Sequence, residues 1–157
     1  MKPMFTRFLF ILLASFTAAS TFAQYTLEQS LGAPYVQSIH ASIDQQSLAW
    51  VVNEEGRRNI WYSELDGNAP QQLTNYPQDD GLNISQISIS AGYLVFVRGN
   101  GNNRQGQPAN PASLPTTPQR QILRLNLENK EIDTIATAAG PVLSPDGYRM
   151  VYAKSVV

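Results

Sequence analysis

Three short apolar segments recur along the chain, and each is bounded by residues that favour turns. The segments are SLAWVV (47–52), YLVFVR (93–98) and RMVYAK (149–154). Each is about six residues long, carries aromatic and β-branched side chains and lacks a 3.6-residue period, which predicts buried strands. Their alignment places an aromatic residue at the same point in every segment. We expect these residues to lie in equivalent strands, with the first two largely buried: Trp50, Phe96 and Tyr152.

A turn that opens with serine precedes each apolar segment, and another short strand precedes the turn. The last turn, SPDG (144–147), is the clearest. Pro145 presets φ at the first central position and Gly147 supplies a positive φ, as a tight connection between strands requires. Ser144 is therefore predicted to be a turn residue rather than a catalytic one. The two earlier turns begin with the same residue type, at Ser42 and Ser90.

A third and a fourth strand follow the first two apolar segments. The third strands are NIWYSEL (59–65) and QILRLNL (121–127), each ended by a polar turn, and the fourth strands run to residues 74 and 136. Equivalent positions are 46 residues apart in the second strands but 62 apart from the third strand onward. The second unit therefore holds about 16 inserted residues between its second and third strands.

The insertion lies in residues 99–119, which contain four prolines, three glycines and no aromatic residue. This composition predicts a long surface loop. Long loops in compact domains often bind a partner or contact another domain, but a solvated excursion without a role has the same composition. Both interpretations remain open from the sequence.

The repeat gives about 43 residues per unit once the insertion is removed, and four strands in that length is the period of a β-propeller blade. The second strands are apolar on both faces, as expected where a blade packs between two neighbours. The predicted fold is all-β: an incomplete propeller with blade 1 at about 34–75, blade 2 at about 83–137 and half of blade 3 at about 139–157. A closed ring needs at least four blades, so we expect a truncated chain.

The first 23 residues have the pattern of a secretory signal peptide. Lys2 and Arg7 provide positive charge, residues 8–19 are apolar, and residues 21–23 form a small-x-small cleavage site before Gln24. A membrane span would need about 20 apolar residues, more than this run supplies. With no cysteine to form disulfides or carry lipid, we expect a periplasmic or secreted protein that is not membrane-bound after cleavage.

Composition and charge exclude several classes of function. The chain is 43% hydrophobic and 15% charged, with a net charge of −1 and no basic stripe, which argues against a nucleic-acid partner. Asp79 and Asp80, beside Gly81, have no further ligands at metal-binding spacing and are predicted to form an interblade turn. Residues 83–85 match the N-glycosylation motif Asn-x-Ser, but they are predicted only to begin a strand.

No catalytic or cofactor-binding residue is predicted. His40 is the only histidine and lies in a predicted strand, and no G-x-S-x-G nucleophile motif exists, so His40 is expected to be structural. The loop glycines have no helix behind them to bind phosphate and are expected to provide flexibility: Gly99, Gly101 and Gly106.

The blade motifs resemble those of TolB-type and prolyl oligopeptidase propellers: SPDG (144–147), the segment from Ile60-Trp61 to Asp66-Gly67, and Leu73-Thr74. The resemblance is closer to secreted, dipeptidyl-peptidase-IV-like members of the prolyl oligopeptidase family. It rests on five segments: TLEQSLGAP (26–34), EGRRNIW (55–61), QLTNYPQDDG (72–81), VFVRGN (95–100) and NPAS (110–113).

The resemblance implies a propeller that precedes a C-terminal α/β-hydrolase domain with a Ser, Asp and His triad and an oxyanion hole. That domain and peptide substrates would be the partners of this segment, and the propeller would screen substrates by size. The first hypothesis is accordingly a scaffold fragment of an exported serine peptidase. The alternatives are a non-enzymatic periplasmic propeller of the TolB type that binds proteins, and a short product or pseudogene remnant without activity of its own.

Overall fold

The computed structural model describes residues 26–154, and its strands form three antiparallel sheets. The strands of the first sheet are β1 (Tyr35–Ala41), β2 (Ser47–Glu54), β3 (Arg57–Glu64) and β4 (Gln71–Gln72). The second sheet contains β5 (Ile84–Ser90), β6 (Tyr93–Arg98), β7 (Gln121–Asn126) and β8 (Ile132–Ala136). A third sheet pairs β9 (Ala139–Leu143) with β10 (Met150–Ala153).

Each four-stranded sheet keeps its strands in chain order, β1-β2-β3-β4 and β5-β6-β7-β8, with every neighbouring pair antiparallel. This is the strand order of propeller blades. The predicted fold class, two four-stranded blades and half of a third, is confirmed. The predicted signal peptide, residues 1–23, lies outside the described residues.

The register of the sheets confirms the repeat alignment. Trp50 of β2 pairs with Trp61 of β3, and Phe96 of β6 pairs with Leu123 of β7 in the same way. Trp61 pairs with Gln72 between β3 and β4, and Leu123 pairs with Thr134 between β7 and β8. Both members are shifted by 62 residues, the offset that the sequence gives from the third strand onward. Trp50 and Phe96 therefore occupy equivalent positions, as predicted.

The described residues contain one helix, α1 (Leu27–Leu31), which lies in a unit separate from the sheets. The Thr26 hydroxyl accepts a hydrogen bond from the Gln29 N–H at 3.1 Å, and the Gln29 side chain accepts one from the Thr26 N–H at 3.0 Å. This reciprocal capping box stabilises the first turn. Between residues 26 and 154 no helix is long and apolar enough to cross a bilayer.

The first strand of every blade has a β-bulge with positive φ at the equivalent residue: Ser38 (51°), Gln86 (55°) and Gly140 (66°). A non-glycine residue in this region costs about 1–2 kcal/mol, so its recurrence indicates a constraint shared by the blades. The bulges of blades 2 and 3 also contact each other, because the Gly140 N–H donates to Gln86 Oε1 at 2.8 Å.

The main core fills the space between blades 1 and 2. Blade 1 contributes Ala49, Val51 and Ile60, and blade 2 contributes Leu94 and Phe96, all with exposed fractions of 0%. A smaller cluster lies on the other face of blade 2, where it packs against blade 3: Val97, Ile122 and Ala138, with Met150 beside them. Blade 2 is therefore covered on both faces.

Blade 1 differs, because burial alternates along β2 and only one of its faces is covered. Phe96 is fully buried, as predicted, whereas Trp50 is in the intermediate range of exposure and is less completely buried than its equivalent. Trp50 and its partner Trp61 are only partly buried, because they lie on the face away from blade 2. Sequence alone could not reveal this asymmetry, since both blades have the same apolar pattern in their second strands.

Candidate functional site

The two edges of the blades differ in the kind of connection they carry. We call one the turn edge; it consists of the short connections at residues 42–46, 65–70, 91–92, 127–131 and 144–149. We call the other the loop edge; it consists of residues 55–56, 73–83, 99–120 and 137–138. The long insertion and the segment that joins blade 1 to blade 2 both lie on the loop edge. Because binding residues are often on such loops, the loop edge is the candidate functional site.

Two arginines bind the segment that joins the blades. Arg98, at the end of β6, forms an ion pair with Asp80, and its guanidinium lies 4.0 Å from the centroid of the Tyr76 ring. Arg58 forms an ion pair with Asp79 at 3.4 Å. Burial raises the pKa of Tyr76; the neighbouring Arg98 opposes that rise, and Asp80 adds to it. The segment is thus held by charge pairs at consecutive aspartates.

These contacts account for the two aspartates without a metal ion. Each carboxylate faces an arginine, and the part of the chain that the structure describes contains no group of three or more metal-ligating side chains. Asp79 and Asp80 therefore occupy the interblade connection that the sequence predicted for them. The sequence analysis did not predict the arginine partners of these aspartates. Arg58 and Arg98 lie near strand ends on the same edge as the two adjacent acids, and this placement is the sequence feature that could have indicated the ion pairs.

The start of this segment is anchored to blade 1 by buried polar side chains. Asn59 accepts hydrogen bonds from the Tyr76 N–H at 2.7 Å and from the Thr74 hydroxyl at 3.1 Å. The Thr74 hydroxyl oxygen accepts one from the Ile60 N–H at 2.9 Å, and Thr74 is 3% exposed. The Leu-Thr pair that ends the blade motif thus has a direct structural role.

The end of the segment contacts the long loop. Gly81 has φ of +67°, and a methyl group there would lie 2.5 Å from Pro111 Cγ, so no side chain fits at this position. The Asn100 amide donates to the Gly81 carbonyl at 2.9 Å and accepts from the Asn83 N–H at 3.1 Å. Segments 72–81, 95–100 and 110–113 consequently meet; we call their contacts the loop-edge cluster.

The base of the long loop is tightly packed. Gly99 has φ of +120°, its N–H donates to the Asn83 carbonyl at 2.9 Å, and a methyl group at Gly99 would lie 2.9 Å from Arg120 Cα. The prediction that this glycine provides flexibility is therefore wrong, since close approach of the two loop ends requires it. Gly101 and Gly106, in contrast, have no atom within 4 Å of such a methyl group.

His40 and Ser144 do not form a catalytic arrangement. His40 is partly buried in β1, where desolvation lowers its pKa, and it has no hydrogen bond to a hydroxyl or carboxylate between residues 26 and 154. The Ser144 hydroxyl donates to Asp146 and accepts from the Arg149 N–H at 3.0 Å. Ser144 thus closes the turn, as predicted.

The turn edge is acidic where blades 1 and 2 meet. A groove of about 560 Å³ lies there, lined by four acidic residues among others: Asp44, Glu64, Asp66 and Glu128. Hydrogen bonds from serine hydroxyls lower the pKa of Asp44 and of Asp146, its equivalent in blade 3. Turn chemistry explains two of the four lining carboxylates, because Asp44 accepts from the Gln46 N–H and Asp66 from the Asn68 N–H, each at 3.1 Å.

The sheets define a β-propeller fold, and a solved propeller has a similar one. The described sheets are similar to the solved structure of TolB from Acinetobacter baumannii, with a TM-score of 0.53 and 17% sequence identity. The match covers 75% of this chain and 26% of the TolB chain, so this chain spans about a quarter of that protein's length. No family model matches the chain, and no curated protein does.

Proposed function

We propose that this chain is the propeller portion of an exported serine peptidase of the prolyl oligopeptidase family. In this proposal the propeller screens peptides by size and presents them to a C-terminal hydrolase domain. The supporting observation is the loop-edge cluster: three of the five segments that carry the resemblance to that family lie together, because 72–81 contacts both 95–100 and 110–113. Generic blade motifs would not require this contact.

The cluster has a physical consequence that suits a substrate filter. Arg98 holds Asp80 and Tyr76, while Pro111 covers Gly81, so the interblade segment and the long loop are fixed against each other. Binding residues are often on loops that a rigid scaffold positions, as this one is. The chain acts as scaffold in this proposal, and the catalytic triad belongs to the hydrolase domain.

A second candidate is a non-enzymatic periplasmic propeller that binds protein partners. The observation in its favour is the similarity to TolB, which concerns the fold. The reading frame after codon 157 separates the candidates. A G-x-S-x-G motif followed by Asp and His supports the peptidase, whereas further blades up to a stop codon support the binding module.

The peptidase proposal is tested with the full-length gene product and two matched variants. Arg98→Gln removes an ion pair and an aromatic contact from the loop-edge cluster. Arg124→Gln removes the same two kinds of contact, to Asp133 at 2.9 Å and to the Tyr93 ring at 5.2 Å, away from the cluster.

The measured quantity is the ratio of kcat/KM for a peptide of about ten residues to kcat/KM for an Ala-Pro chromogenic substrate. For Arg98→Gln we expect this ratio to be at least about threefold higher than in the unsubstituted protein. Arg124→Gln should leave this ratio unchanged. Equal ratios in both variants would contradict the role of the cluster. Release of the chromophore by purified residues 24–157 alone, abolished by a serine-directed inhibitor, would contradict the scaffold role.

Export is part of the same proposal and has its own test. Mass spectrometry of protein recovered from the periplasm or medium should find Gln24 as the amino terminus, because residues 21–23 form the small-x-small site after the apolar run. Recovery of residues 1–23 still attached, in a membrane fraction, would contradict it.

A further inference from the structure

A second groove, of about 490 Å³, lies on the loop edge where the chain passes from blade 2 to blade 3. Arg120 is the one charged residue that lines it, and the polar side chains around it are neutral: Asn100, Asn102, Gln119 and Thr137. No acidic residue of the described chain lines this groove, in contrast to the groove on the turn edge.

Arg120 differs from the arginines that support the fold. Arg57, Arg58, Arg98 and Arg124 each form an ion pair with a carboxylate, whereas Arg120 has none within residues 26–154. The Nε atom of Arg120 is buried without a hydrogen-bond acceptor there, as is that of Arg98, so the difference between them lies in the ion pair. The terminal guanidinium nitrogens of Arg120 are not among the buried donors without a partner and have no hydrogen-bond partner within residues 26–154, so they are the atoms that can meet an oxyanion in the groove.

The position of Arg120 is fixed before any ligand binds. It directly precedes β7, in which Ile122 is fully buried, and Gly99 packs against its Cα atom. The guanidinium is therefore attached to a rigid part of the blade, and little backbone ordering is needed when a ligand binds.

We propose that this groove binds a carboxylate group of a short peptide, with Arg120 as the anchoring residue. The planar guanidinium can donate two parallel hydrogen bonds to a carboxylate. Its single charge balances one carboxylate, whereas a phosphate dianion would remain half neutralised. The amide side chains of Asn102 and Gln119 can both donate to and accept from a peptide backbone. The inference goes beyond the proposed function and does not depend on the peptidase assignment.

The test compares peptides that differ only in the carboxylate, using the full chain and NMR titration of the Gly101 and Gly106 amides that line the groove. N-acetyl-dialanine should give saturable shifts, and its C-terminal amide should bind at least about tenfold more weakly. N-acetyl-aspartyl-alanine amide distinguishes a side-chain carboxylate from a terminal one. Inorganic phosphate should bind more weakly than either acid.

Two variants and a control assign the effect to Arg120. Arg120→Gln should weaken binding of the acid at least about tenfold. Arg120→Lys keeps the charge but cannot make two parallel hydrogen bonds, so its affinity for the acid should lie between those of Arg120→Gln and the unsubstituted chain. Arg104→Gln removes the same charge from an exposed position of the same loop and should bind as the unsubstituted chain does.

Equal binding of acid and amide would overturn the proposal, as would equal losses in Arg120→Gln and Arg104→Gln. Phosphate binding as tight as that of the acids would overturn the choice of carboxylate. If Arg120→Gln fails to fold, the acid and amide titrations of the unsubstituted chain and of Arg120→Lys still decide.

Discussion

Blades 1 and 2 follow the same four-strand plan, but they differ in how their second strands are packed. Val95 and Phe96 lie on opposite faces of β6, and both are fully buried, because blades 1 and 3 cover the two faces of blade 2. In β2, Ala49 and Val51 are buried toward blade 2, while Trp50 between them stays partly exposed. The repeat thus fixes the position of a residue, and the neighbouring blade determines how much that residue contributes to stability.

The largest expected effect comes from removing the equivalent aromatic residues. Phe96→Ala should lower the free energy of unfolding by about 3–5 kcal/mol, because it leaves a cavity in a covered core. Trp50→Ala should cost about 1–2 kcal/mol, since part of that side chain is already in water. Urea denaturation followed by circular dichroism measures both. Equal losses would contradict the difference in coverage between the blades.

The next effect concerns the turns that open the second strands. The turn at Gly147 packs against blade 2, where a methyl group would lie 2.9 Å from Ala91 Cβ, and Gly147 has φ of +72°. Gly147→Ala should therefore cost about 1–3 kcal/mol of unfolding free energy. Gln45 occupies the same place in blade 1 with φ of 58°. There Gln45→Gly should change stability by less than about 0.5 kcal/mol, because relief of strain offsets the added chain entropy.

Thermal unfolding of the two turn variants provides the measurement. A Gly147→Ala chain as stable as the unsubstituted one would show that the turn tolerates a side chain. A loss above about 1 kcal/mol in Gln45→Gly would show that the two turns do not share one conformation.

The parts of the fold that depend on local sequence could be predicted, and those that depend on distant residues could not. SPDG (144–147) specifies its turn through Pro and Gly chemistry, and the pairing of Trp50 and Phe96 with the third strands follows from the repeat. No feature of the sequence predicts the bulges at Ser38 and Gln86, because serine and glutamine rarely adopt positive φ.

The candidate site was harder to predict for the same reason. Asp80 and Arg98 are 18 residues apart and meet because the second blade folds back beside the interblade segment. Gly99 and Arg120 come together only when both ends of the long loop are fixed by β6 and β7. The sequence shows polar and glycine residues at these positions, but their partners are determined by the sheet.

A smaller effect should distinguish the ion pair of the loop-edge cluster from an exposed pair between β7 and β8. The Asp80 and Arg98 side chains are 30% and 20% exposed, whereas Asp133 and Arg124 are 62% and 43% exposed. Asp80→Asn should therefore cost about 1 kcal/mol, and Asp133→Asn about 0–0.5 kcal/mol. Denaturation at low and high salt measures both. The reverse order would show that the loop-edge cluster adds no more stability than a surface pair.

The smallest expected effect is a pH dependence confined to blade 1. His40 has a lowered pKa because burial disfavours its charged form, and the equivalent position in blade 2 is Ser88, whose hydroxyl accepts a hydrogen bond from the Leu143 N–H at 3.3 Å. Below the ordinary histidine pKa of about 6.5, the unfolded chain binds a proton that the folded chain resists, so stability falls as the pH decreases through that value.

His40→Ser, which installs the residue of blade 2, should therefore flatten the dependence of unfolding free energy on pH between about 7 and 5. The dependence below about pH 4 should remain, because the carboxylates of Asp44 and Asp146, whose pKa values the serine hydroxyls lower, keep their stabilising charge until they are protonated. Chemical denaturation at several pH values measures the slope. An unchanged slope between pH 7 and 5 would show that His40 titrates in the folded chain as it does in the unfolded one.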